Sequence, residues 1–71
     1  MPLSLAPKDV AVTVSRVSAD ETVRHHLENL GILPESQLTV LSENDGDVIL
    51  KVKDGRLALN KQLAMKIFVR F

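Results

Sequence analysis

Aliphatic residues alternate with polar or small ones near the start of the chain, placing Val10, Val12 and Val14 on one face. Period-two alternation of β-branched residues predicts a strand over residues 10–14. Arg16 keeps the same parity, so the buried face is expected to end near Val14, with Val17 leading into a helix. The period then changes. Val23, Leu27 and Leu30 recur at i, i+4 and i+7 and form one apolar stripe. Ser18 and Glu21 have capping-box spacing, and Asp20 and Glu21 suit the positive end of a helix dipole. Gly31 fits the left-handed position that closes a helix, with Ile32 folding back on Leu27, and Pro34 blocks continuation. These signals predict a helix of about three turns over residues 19–30.

Strand patterns return after Pro34. Residues 38–42 alternate, turn through Glu43-Asn-Asp-Gly-Asp47, and lead into residues 48–53, with Val48, Leu50 and Val52 inward. Asp54-Gly55 reads as a two-residue hairpin loop with φ > 0 at both positions. Residues 56–59 return with Leu57 and Leu59 inward. Asn60 can cap a short helical turn carrying Leu63 and Ala64. Residues 67–71 form a last strand with Ile67, Val69 and Phe71 on one face. The expected fold is mainly β (α+β): five short strands, one helix after the first, a helical turn before the last. Curling such a sheet into a small β-barrel removes most free edges.

A chain of 71 residues has material for one core, so residues 1–71 are read as a single domain. That core must be aliphatic, because Phe68 and Phe71 are the only aromatic residues. There is no cysteine, hence no disulfide framework or thiolate metal site. No apolar run approaches the ~20 residues of a membrane span, so no direct membrane insertion is expected. The first residues lack the basic and long apolar regions of a signal peptide, and a cytoplasmic location is expected. Nine basic and nine acidic residues balance to zero. Nucleic-acid affinity rests on phosphate neutralisation by a basic stripe and, for single strands, on aromatic stacking; neither pattern is present.

Candidate chemistry is sparse. His25 and His26 are the candidate metal ligands, but neighbours on a helix diverge by about 100°, whereas one ion is held readily by i, i+4 histidines. His25 is read as solvated and His26 as lying at the edge of the apolar stripe. Glu43, Asn44, Asp45 and Asp47 resemble a fragment of an oxygen-ligand cation loop without its twelve-residue frame; Asn-Asp-Gly is ordinary turn chemistry. No phosphate-binding glycine loop occurs, and no cofactor is expected. Arg24 and Arg56 are read as solvated charges in preference to arginine fingers acting in trans. The chain is expected to bind rather than catalyse. Strand parity puts Leu41 and Ile49 outside the barrel on adjacent strands, where a joined apolar patch can mark an interface; the alternative is cover by Leu3, Leu5 or the helix.

Leu27-x-x-Leu30-Gly31-Ile32-x-Pro34, followed by Leu38-x-Val40, resembles the signature of the ferrous iron transport protein A (FeoA) family. Leu59, Ala64, Ile67 and Val69 continue the match, as do Met1-Pro2-Leu3 and Ala6-Pro7. The resemblance implies an SH3-like barrel, shared with the C-terminal domain of DtxR-type iron-dependent repressors. It also implies an accessory role with a FeoB-type transporter, whose cytosolic G domain would be the partner. Every matched position is aliphatic, Gly or Pro, so the motif carries fold and no catalytic residue. The family has Gly after the turn proline where this chain has Glu35; a type II turn wants Gly there, so a different turn type is expected. Pro34 and Glu35 join Leu41 and Ile49 as candidate partner-binding residues. Two rival readings stand beside this one: a transition-metal sensor or carrier using His25 or His26, and a generic barrel adaptor or homodimer joined through Leu41 and Ile49.

Overall fold

The computed structural model describes residues 1–71. Strand β1 (Ala11–Val17) leads to helix α1 (Glu21–Asn29), then β2 (Gln37–Asn44), β3 (Asp47–Val52), β4 (Gly55–Asn60), the short helix α2 (Lys61–Ala64) and β5 (Ile67–Arg70); a 3₁₀ turn, Leu3–Leu5, precedes them. The strands form one antiparallel sheet in the order β4-β3-β2-β1-β5. Helix α2 links the two outermost strands, and the sheet bends into a small SH3-like barrel around one aliphatic core. Met1 and Pro2 take the free edge of β5: the Val69 N–H donates to the Met1 carbonyl at 2.7 Å, and Pro2 bridges Phe68.

Period two holds wherever the sheet is regular. Val12, Val14, Leu38, Val40, Val48, Leu50, Leu59, Ile67 and Val69 all point into the core, with Leu27, Ile32 and Ala64 closing it from the helical side. Val10 and Phe71 were expected inward; both are exposed and lie outside the strands, where neither has a ladder to fix its direction. Two bulges reset the parity. In β1 the register jumps from Val14↔Val69 to Arg16↔Phe68, so one extra residue, Ser15, is absorbed. The strand therefore continues to Val17, which pairs with Ile67 and packs on the core, instead of ending its buried face at Val14. In β2 the jump from Val40↔Leu50 to Ser42↔Ile49 leaves Leu41 as the extra residue.

The helix start differs from the capping-box reading. Asp20 is the N-cap; its carboxylate accepts from the Val23 N–H at 2.9 Å, and Ser18 lies outside the helix with its own N–H donating to Lys66. Helix α1 is accordingly nine residues, about two and a half turns. Its C-terminus is a full Schellman motif. Gly31 sits at φ +92°, its N–H donates to Glu28, and the Ile32 N–H donates to Leu27 at 2.9 Å. Leu27 and Ile32 are both fully buried, which fixes the angle at which the chain leaves the helix.

The two Asp-Gly dipeptides have different jobs. Asn44 pairs with Asp47, so Asp45-Gly46 is a two-residue loop with φ +48° and +87°, the type I′ geometry. Val52 pairs with Gly55, so the second loop is Lys53-Asp54, and only Gly55 has positive φ, at +144°. The expectation of φ > 0 at Asp54 is thus overturned by register. Asn60 does cap α2, accepting from the Leu63 N–H at 2.8 Å.

Candidate functional site

The bulge in β2 decides how the apolar pair is shown. Leu41 and Ile49 are neighbours across β2 and β3, and both are half-buried. Ile49 also faces Ala58 of β4, which is exposed. The result is a small aliphatic surface on three adjacent strands. Beside it, Lys8 bridges Val40 and the Asp9 N–H donates to the Val40 carbonyl at 2.8 Å, so the N-terminal segment runs along β2 at the bulge. The residues expected as a cover do something else. Leu3 is 1% exposed and belongs to the core, while Leu5 is 72% exposed. A 3₁₀ turn between two extended residues sends Leu3 inward and Leu5 out.

The turn at Pro34 keeps the conformation that its sequence argued against. The Ser36 N–H donates to the Leu33 carbonyl at 3.0 Å, and Glu35 takes φ +73°. Proline second and positive φ third is the type II pattern. Glu35 therefore occupies a glycine conformation, and the expected change of turn type does not occur. The surroundings hold it there. Its N–H donates to the Val14 carbonyl at 2.7 Å, and the Val14 N–H donates to the Ser36 carbonyl at 2.8 Å. Its carboxylate accepts from the Arg70 guanidinium at 2.7 Å. Pro34 and Glu35 are thus tied to β1 and β5, and Leu41 and Ile49 to β2, β3 and β4; the four candidates form two separate surfaces.

The metal candidates do not converge. His25 and His26 are both exposed, and His26, one turn before Leu30, stands beside the apolar stripe with its ring open to solvent. His25 Nε2 stands 3.6 Å from Glu21 Oε1, one turn away on the same helix. No group of three or more His, Asp or Glu side chains comes together around a common point. In the acidic turn, Glu43 binds the Lys61 ammonium at 3.0 Å and the Gly46 carbonyl accepts from the Lys61 N–H, which ties the hairpin to the start of α2.

One arrangement escaped sequence reasoning. The Arg16 guanidinium lies over the Phe68 ring, 4.5 Å from its centre. Arg16 and Arg24 line one cleft of about 200 Å³ with Ser15, Glu28 and Pro34. Only the extra residue at Ser15 puts Arg16 opposite Phe68, and a bulge leaves no mark in the hydrophobic pattern.

A family model described as the FeoA domain matches residues 1–71. The chain belongs to the FeoA domain family. Among curated proteins it is 34% identical over 68 residues to a "Putative Fe(2+) transport protein A" of Methanocaldococcus jannaschii, covering 96% of this chain and 83% of that one. Among solved structures it resembles an iron uptake regulatory protein (FeoA) with a TM-score of 0.90 and 28% identity, over 99% of this chain and 95% of that one. It also overlays a manganese-dependent transcriptional repressor with a TM-score of 0.88 and 25% identity, over 99% of this chain and 40% of the repressor. The SH3-like barrel implied by the motif residues is therefore the FeoA fold, and it recurs as one part of a larger metal-dependent regulator.

Proposed function

We propose that this FeoA-family chain is an accessory protein of ferrous iron uptake that works in the cytosol, docking on the GTPase part of a FeoB-type membrane transporter and modulating it. The observation that carries this reading is the family match over all 71 residues, together with the Fe(2+) transport protein A relative. The barrel contributes binding surfaces. Leu41, Ile49 and Ala58 offer aliphatic area on a rigid sheet, and the Pro34–Glu35 turn offers a fixed polar corner. Such a ligand shifts its partner's equilibrium only by binding one state more tightly than the other. Modulation therefore requires different affinities for the GDP- and GTP-bound partner.

Titration of the full chain against the G domain and against the intact transporter tests this, each with GDP and with a non-hydrolysable GTP analogue. Saturable binding with unequal affinities is expected, and Ile49→Lys should weaken it about tenfold or more by placing a charge in the contact. Lack of binding in every nucleotide state removes the reading. Dimerisation that Leu41→Lys abolishes would reassign the surface to self-contact.

A further inference from the structure

We infer that the outer face of β1–β3 carries a binding groove for an extended acidic peptide with interspersed aliphatic residues. The groove, about 690 Å³, lies between the turn that ends α1 and the β3–β4 hairpin, and its lining includes Ala11, Leu33, Thr39, Lys51, Val52 and Lys53. Register builds its floor. Ala11 pairs with Thr39, Thr39 with Lys51, and Lys51 with Arg56, so one row crosses four strands; Ala11, Thr39 and Lys51 line the groove and Arg56 stands beside it on the next strand. Their neighbours Val12, Leu38 and Leu50 are buried, which puts the row on the outer face.

The charges on that row have no acidic partner within the chain. Lys51 and Arg56 stand directly opposite each other, an arrangement of like charges that weakens a sheet. Lys53 sits two residues beyond Lys51, in the hairpin loop. The ion pairs of this chain join His25 to Glu21, Lys61 to Glu43 and Arg70 to Glu35; none uses Lys51, Lys53 or Arg56. Asp54 is the one carboxylate in the lining, and it pairs with none of the three cations. The groove also has an apolar edge: Leu33 is 42% exposed there, and Val52, whose side chain packs on the core, leaves its half-exposed margin to the groove. A phosphate-rich polymer or anionic membrane would use the cations alone and would need more of them on one face. A peptide uses both halves, with carboxylates on Lys51, Lys53 and Arg56 and an aliphatic side chain against Leu33 and Val52. The row lies on the same outer face as Leu41, Ile49 and Ala58, two residues along each strand, but neither Leu41 nor Ile49 lines the groove, whose existence does not depend on the transporter reading.

The test uses the full chain labelled with ¹⁵N and three blocked hexapeptides in which Leu alternates with Glu, with Gln or with Lys. The Leu/Glu peptide should saturate, with amide shifts confined to residues around Ala11, Leu33, Thr39, Lys51, Lys53 and Arg56. It should bind about tenfold tighter than the Leu/Gln peptide, weaken with salt, and leave the Leu/Lys peptide unbound. The double variant Lys51→Glu, Arg56→Glu should invert that preference. Lys51→Gln, Arg56→Gln, which adds no charge, should erase it with the spectrum otherwise unchanged. Equal binding of the Leu/Glu and Leu/Gln peptides, or shifts centred elsewhere, overturns the inference. So does tighter saturation by phosphatidylserine vesicles or a short DNA duplex.

Discussion

Glu35 offers the sharpest test of how this chain is built, because it holds a backbone conformation suited to glycine at φ +73°. Consider Glu35→Gly against Glu35→Ala. A residue with a Cβ in the left-handed region costs about 1–2 kcal/mol. Alanine recovers about 0.4–1 kcal/mol relative to glycine, because its unfolded chain has fewer states to lose. The difference leaves the glycine variant more stable than the alanine variant by about 1 kcal/mol. For a domain of this size that is about 4–8 °C in Tm. Both variants lose the Arg70 contact, whose partners are well exposed, so that term cancels between them and amounts to a few tenths of a kcal/mol. The expected order is glycine above wild type, with alanine at or slightly below wild type. Urea and thermal unfolding at one ionic strength measure it. An alanine variant as stable as the glycine variant would refute the argument, since it would mean that residue 35 is not held at positive φ. The same pair bears on function: a glycine variant that is more stable yet binds the G domain less well would assign the carboxylate to docking.

Three further outcomes are expected. Asp20→Ala should destabilise the domain by about 1 kcal/mol in urea unfolding while Ser18→Ala has almost no effect, because the Asp20 carboxylate alone satisfies the Val23 N–H; equal losses would restore the capping box. Leu50→Ala, at a site with no exposure, should cost about 2–5 kcal/mol and leave much of so small a domain unfolded by circular dichroism at 37 °C. His25→Ala with His26→Ala should leave Zn²⁺ titration by calorimetry unaltered; a lost saturable site would revive the metal-carrier reading.

Much of this fold could be read from local signals, and its failures share one cause. The Schellman end at Gly31, the Asn60 cap and the inward parity of Val12, Val14, Val48 and Leu50 each depend on residues within a few positions of one another. Local chemistry suffices there. The errors arise where distant partners set the outcome. Asp45-Gly46 and Asp54-Gly55 are the same dipeptide, yet the pairing of Val52 with Gly55 moves the second loop back by one residue. Ser18 and Asp20 are both competent caps, and the Ser18 N–H is already engaged by Lys66. Leu3 joins the core because Met1 and Pro2 pair with β5, nearly the whole chain away in sequence. The candidate surfaces fared likewise: parity found Leu41 and Ile49, but the cross-strand row through Lys51 and Arg56 exists only once the register is known.

The Pro34 turn joins these two kinds of information. Its sequence lacks the glycine that a type II turn prefers, so local chemistry argued for another shape. The observed turn is nonetheless type II, because two hydrogen bonds to Val14 extend the β1–β2 ladder to Glu35 and Ser36. Those bonds form only if the chain reverses with positive φ at residue 35. Tertiary pairing outweighs a local preference of about 1 kcal/mol, as one backbone hydrogen bond is of similar net worth and its loss would leave a donor or acceptor unsatisfied. Glycine at this position is therefore a convenience of the fold and not a requirement. What the barrel demands is the turn, and it tolerates a side chain displayed there at a cost of about 1–2 kcal/mol.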